Sequence, residues 1–228
     1  MSGSLVSPET RARVRGLMTP IAVGLGKLGL SPNALTVIGF LIACVAAIAA
    51  GLQSWIVAGV LVVFGGVFDL FDGALARATG KVSKLGAFMD STFDRWGEGV
   101  VYLGILWGAL ELGYSLPVIL TGAAMVSAFM VSYTRAKSES LGFVPGTGMA
   151  NVGLAPREIR IVILTLGLLG AGIAGTTAET AGGSGVVATP VGVLILEAAL
   201  GLIAILATIT VIQRIVATIN QASKQEQG

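Results

Sequence analysis

The chain has 228 residues, of which 54% are hydrophobic and only 11% charged, where a soluble domain carries about a quarter charged residues. That balance excludes an ordinary water-soluble fold and points to a single membrane domain over residues 1–228, with several apolar stretches near the roughly 20 residues that a bilayer-crossing helix needs. Zero histidines and one cysteine, Cys44, exclude a disulfide framework, a zinc site and imidazole chemistry, and at a formal net charge of +2 no nucleic-acid partner is expected.

Residues 8–30 mix Arg11, Arg13, Arg15 and Lys27 with Val14, Leu17, Ile21, Leu25 and Leu28, which predicts an amphipathic juxtamembrane helix lying along the bilayer surface. No compact apolar core followed by a small-residue cleavage site is present there, so no removable signal peptide is expected. A bundle of six transmembrane helices follows over residues 31–217, with spans at about 34–51, 54–75, 91–110, 115–136, 159–175 and 190–212, and 218–228 is left as a tail. The expected fold class is therefore all-α and polytopic.

With a cytoplasmic N-terminus, the outer loops are Gln53–Trp55, Glu111–Tyr114 and Gly175–Pro190, and none contains a lysine or arginine. All 14 cations then lie on the inner side or at its boundary. This asymmetry places both termini in the cytoplasm of a cell-membrane protein. Trp55, Trp107 and Tyr114 fall near the outer boundary, as an aromatic belt requires. The Gly- and Thr-rich stretch 175–190 reads as a flexible outer loop, and residues 146–148 read as a turn.

The second span ends on the inner side with Asp69-Leu-Phe-Asp72-Gly73-Ala-Leu-Ala76-Arg77, and the third begins there with Gly86-Ala-Phe-Met-Asp90-Ser-Thr-Phe-Asp94. The pairs are spaced i,i+3 and i,i+4, so each projects from one side of its helix, and two facing helices bring four carboxylates together. Four such charges at the edge of a low-dielectric region repel one another unless cations neutralise them. Oxygen-only ligands favour hard divalent ions such as magnesium, manganese or calcium over zinc, and four carboxylates suit two such ions, with Mg2+ the expected pair and Mn2+ the substitute. Gly73 admits a phosphate close to the backbone, and Arg77 stands one turn beyond Asp72 to pair with diphosphate oxygens. Without histidine, an aspartate is left as the base.

Asp69-x-x-Asp72-Gly73-x-x-Ala76-Arg77, eight residues, then Gly86-x-x-x-Asp90-x-x-x-Asp94 resembles the signature of the CDP-alcohol phosphotransferases at every fixed position. The resemblance implies a membrane enzyme, commonly a homodimer, whose four aspartates hold two divalent metals and whose last, Asp94, is the catalytic base, with CMP as leaving group. It also implies that CDP-diacylglycerol lies against Gly73, Arg77, Ser83 and the segment Asn33, Ala34, Leu35 and Thr36. Read by itself, the same segment is a helix start at which Asn33 caps and Pro32 is tolerated.

The loop between spans four and five holds Ser132-Tyr-Thr-Arg135-Ala-Lys137 and Pro156-Arg157-Glu158-Ile-Arg160, and Arg214 returns at the end of span six. These cations form a candidate pocket for an acceptor's phosphate, set against ordinary snorkelling of inner-side charge. With the N-terminal arginine-bearing helix, these segments are similar to the actinobacterial phosphatidylinositol phosphate synthases. That resemblance implies transfer of the phosphatidyl group from CDP-diacylglycerol to inositol 1-phosphate. Glycerol 3-phosphate is the alternative acceptor, and a cation transporter lined by the acids is the alternative of another class. Glu98, one turn past Asp94, is read as its support; Glu197 has no assigned role.

Overall fold

The structure, a computed structural model, describes residues 8–143, 149, 152–176 and 190–225, with side chains from residue 18 onward. The side chains of Arg11, Arg13 and Arg15, the expected turn at 146–148 and most of the 175–190 loop lie outside the described residues. The helices are α1 Pro8–Lys27, α2 Pro32–Gly51, α3 Trp55–Ala78, α4 Lys84–Glu111, α5 Ser115–Ser140, α6 Arg157–Ala174 and α7 Val191–Gln225, and there is no strand among the described residues.

Four of them, α2, α3, α5 and α7, are long and apolar enough to cross a membrane. The remaining two of the expected six, α4 and α6, carry charge clusters within the helix: Asp90, Asp94, Arg95 and Glu98 on one, Arg157, Glu158 and Arg160 on the other.

Local chemistry sets the helix starts. Ser31, rather than Asn33, caps α2: its Oγ accepts the Ala34 N–H at 3.2 Å, and Pro32 occupies the first helical position, where its missing N–H costs nothing. Ser83 caps α4 in the same way, accepting the Gly86 N–H at 3.0 Å. The cap draws the start of α4 back to Lys84, ahead of the expected 91, so the second aspartate pair lies well inside a helix. At the other end of the chain α7 continues to Gln225, because no glycine or proline interrupts residues 213–225; most of the expected tail is helical.

Packed neighbours run α2–α3–α6–α7–α5–α4 and back to α2, a closed ring, with α1 against α3. The aspartate-bearing helices α3 and α4 do not face each other as expected, because α2 packs against both. Small residues bring α2 and α4 into backbone contact: a Cβ on Gly104 would fall 2.1 Å from the Ala47 carbonyl oxygen, and one on Gly108 2.3 Å from that of Ala50. Away from the charged end the ring is filled by Trp55, Tyr102, Ile105, Leu164, Leu168, Leu196, Leu200 and Ile203. Trp55 is thus no lipid-facing belt residue. It is 2% exposed, and its Nε1–H donates to Thr176 Oγ1 at 3.0 Å. Trp107 stays at the periphery, 45% exposed.

Candidate active site

At the charged end, Thr36, Gly39 and Phe40 of α2, Gly65 and Asp69 of α3, Phe93, Asp94, Gly97 and Glu98 of α4, and Arg157 of α6 line one cavity. Gly39 is what lets α3 come close. A Cβ there would stand 3.0 Å from Asp69 Oδ1 and 3.5 Å from the Gly65 carbonyl oxygen. Thr36, one turn earlier on α2, donates its hydroxyl to Asp72 Oδ2 at 2.6 Å and fixes that carboxylate, which is 5% exposed. Thr36 therefore orients a predicted metal ligand, a role the sequence did not reveal.

The four aspartates form one electrostatic group. Asp72 lies within the fields of Asp90 and Asp69, and Asp94 within those of Asp69 and Asp90. Their most intimate cation is Arg157, whose Nη2 lies 2.8 Å from Asp69 Oδ2 and whose Nη1 lies 2.9 Å from Asp94 Oδ1. The second of these contacts is close but misdirected: Asp94 Oδ1 is buried and accepts no hydrogen bond among the described residues. The donor set suits a hard divalent ion, being all carboxylate oxygen with one buried oxygen under-satisfied. It is not a ready-made cage, because no group of three acidic side chains converges to hold an ion among the described residues.

Arg95, to which the sequence pattern assigns no role, joins this cluster. Its Nη1 donates to the Ser91 carbonyl oxygen at 2.7 Å and lies 3.5 Å from Asp94 Oδ2, within the fields of Arg157 and Arg135. Its position directly after a signature aspartate gives no local signal, since an unspecified residue beside a motif looks like any helix-surface charge.

Among the residues expected to meet the nucleotide, the Arg77 guanidinium folds back over Gly73, where an added Cβ would lie 3.1 Å from Nη1. Asn33 and Ser83 meet at Gly86, where a Cβ would stand 3.2 Å from Ser83 Oγ and 3.5 Å from Asn33 Oδ1. Leu35 does not face this region with its side chain. It is fully buried with Ala22, Phe71, Ala74 and Leu75, where α1, α2 and α3 join. Ala34 contributes its N–H to the Ser31 cap.

The expected acceptor cations divide. Arg135 pairs with Glu139 one turn on at 3.1 Å, a half-exposed pair of little strength, and Lys137 is exposed. Arg160 is committed elsewhere: 1% exposed, it forms a bidentate bridge to Glu98, with Nε to Oε1 at 2.8 Å and Nη2 to Oε2 at 2.7 Å, while Nη1 donates to the Ala155 carbonyl oxygen at 3.0 Å. Glu98 accordingly serves Arg160 and not Asp94. Arg214 is also buried, donating Nε to the Val152 carbonyl oxygen at 3.0 Å and Nη1 to that of Val131, which ties α7 to α5 and to the approach to α6. Both arginines hold the pocket's frame rather than stand open to a ligand.

The family model for CDP-alcohol phosphatidyltransferases matches residues 29–219. The chain belongs to this family. Among its relatives, it is 39% identical over 161 residues to an archaetidylinositol phosphate synthase of Pyrococcus horikoshii, covering 71% of this chain and 81% of that protein. It is 34% identical over 176 residues to a phosphatidylinositol phosphate synthase of Mycobacteroides abscessus, covering 75% of each. The fold matches the Mycobacterium tuberculosis phosphatidylinositol phosphate synthase with CDP-DAG bound at a TM-score of 0.74, with 28% identity over 88% of this chain and 92% of that one. The same enzyme in complex with manganese and citrate matches at 0.72, with 28% identity over 88% of each chain.

Proposed function

We propose that the protein transfers the phosphatidyl group of CDP-diacylglycerol to inositol 1-phosphate, releasing CMP and forming phosphatidylinositol phosphate. The observation that carries the acceptor assignment is that the archaeal and the bacterial relatives differ in the lipid their names give and agree on inositol phosphate. The guanidinium groups of Arg157 and Arg95 beside Asp94, with Arg135 in the field of Arg95, support it, since such a group of cations suits the phosphate of a phosphorylated alcohol.

Asp69, Asp72, Asp90 and Asp94 would hold two divalent ions, Mg2+ or Mn2+, whose positive charge offsets that of the donor's diphosphate. A relative's complex with manganese supports the choice of metal. Thr36 keeps Asp72 in position through its 2.6 Å hydrogen bond. Arg77, over Gly73, lies toward the leaving CMP, with Asn33 and Ser83 bordering the cytidine side. Asp94 takes the proton of the attacking hydroxyl, and the acceptor's phosphate is held by Arg157 with Arg135, Lys137 and Arg95. This is positioning and electrostatics, without a covalent enzyme intermediate.

The protein on this reading is a single domain of six spans, α2–α7, with α1 along the bilayer surface, both termini and the site on the cytoplasmic side of the cell membrane, and a homodimeric assembly. Charge supports α4 and α6 as spans, because their deepest charges are neutralised against each other at Glu98 and Arg160.

Acceptor profiling of the purified protein with CDP-diacylglycerol and Mg2+ tests the assignment. CMP release is expected with inositol 1-phosphate; release with glycerol 3-phosphate and none with inositol 1-phosphate would reassign the enzyme to phosphatidylglycerophosphate synthesis.

A further inference from the structure

Arg157 and the proposed metal ions lay claim to the same oxygens. From the first turn of α6 the guanidinium reaches across the ring and splits its fork between two helices, 2.8 Å from Asp69 Oδ2 on α3 and 2.9 Å from Asp94 Oδ1 on α4. A guanidinium closes best on a single carboxylate, with two parallel bonds. The split leaves a visible deficit: Arg157 Nε and Asp94 Oδ1 are both buried with no hydrogen-bond partner among the described residues.

One turn further into the bundle α4 and α6 are joined by a rung that lacks nothing. Glu98 and Arg160 close bidentately at 2.8 and 2.7 Å, and Arg160 has the Ala155 carbonyl oxygen as well. The rungs share one register, Asp94 and Glu98 four residues apart on α4 and Arg157 and Arg160 three apart on α6. The inner rung is sealed, its arginine side chain 1% exposed, while the Arg157 side chain is 27% exposed. The first is built to stay and the second to exchange.

We propose that Arg157 is an internal counter-ion that divalent metal displaces. In the metal-free enzyme it bridges Asp69 and Asp94; when metal takes those oxygens, the guanidinium turns to the phosphate of the incoming acceptor, with the Glu98–Arg160 rung as the fixed point about which it moves. The inference rests on the metal and acceptor roles proposed above. Four carboxylates and two dications cancel, so a guanidinium left among them has no net counter-charge and needs a new anion. The metal and the acceptor's phosphate therefore bind with positive coupling, and by linkage each tightens the other.

Titration of the purified full-length protein with Mn2+, followed by electron paramagnetic resonance, tests this directly. Without acceptor, Arg157→Gln is expected to bind Mn2+ on the order of tenfold more tightly than wild type, the scale of one charge-assisted contact no longer competing. Arg157→Lys falls between the two, because an ammonium holds only one carboxylate well. Inositol 1-phosphate tightens Mn2+ binding to wild type and leaves Arg157→Gln unmoved. Lys224→Gln, at the far end of α7, measures the effect of lost positive charge alone, and circular dichroism verifies folding; should the glutamine variant misfold, the lysine variant carries the comparison. Mn2+ affinity in the folded Arg157 variants equal to or weaker than wild type overturns the counter-ion role and leaves the enzymatic reading intact. Failure of wild type to bind Mn2+ at all overturns both.

Discussion

Replacing Asp94 with asparagine is expected to slow CMP release about a thousandfold at saturating substrates, within the roughly 10²–10⁴ range that a general base contributes. Asparagine keeps the shape of the side chain and one oxygen, but it cannot accept a proton. The position of Asp94 suits a base, since it lines the cavity between α2, α3, α4 and α6, its side chain is 14% exposed, and its buried Oδ1 accepts no hydrogen bond among the described residues. Asp69, Asp72 and Asp90 remain in the variant, so Mn2+ binding weakens far less than turnover falls. A rate of CMP release equal to wild type would remove Asp94 from the chemistry.

The largest effect on stability is expected at Glu98. Its carboxylate is the sole acid paired with Arg160 among the described residues, across 62 residues of sequence, and both side chains are nearly sealed from solvent at 7% and 1% exposure. Glu98→Gln leaves a buried guanidinium without its counter-charge, which costs about 3–5 kcal/mol when one partner of such a pair is removed. The double replacement of Glu98 and Arg160 by leucine and methionine recovers most of that loss, since removing both charges also removes their desolvation penalty. Unfolding in detergent micelles, followed by circular dichroism, compares the three proteins. A single variant as stable as wild type would show that the α4–α6 rung holds nothing together.

The clustering of the four aspartates could be read from spacing alone. Asp69, Asp72, Asp90 and Asp94 stand at helical intervals in helices that form where apolar periodicity places them, and the structure sets all four in one electrostatic neighbourhood. How they are brought together was not legible, because periodicity describes one helix at a time. The insertion of α2 between α3 and α4 depends on Gly39, Gly104 and Gly108, glycines that in an apolar run look like any others. The cations were harder still. Arg157 and Arg160 both read as inner-side charge, yet one bridges Asp69 across 88 residues while the other is locked to Glu98. Nothing in the order Arg-Glu-Ile-Arg says which carboxylate each will meet. Trp55 misled for a related reason: an indole near a helix end suits the lipid interface, and its burial and its partner at Thr176 show that it turned inward.

Anomalous scattering from crystals grown with Mn2+ and CDP-diacylglycerol shows whether the four aspartates bind divalent metal where the CDP-linked donor is cleaved. Manganese is expected among Asp69, Asp72, Asp90 and Asp94, with the diphosphate oxygens in its coordination sphere and Arg157 withdrawn from Asp69 and Asp94. A diphosphate bound in that cavity with no manganese beside the aspartates, and with Arg157 still bridging them, would contradict the account.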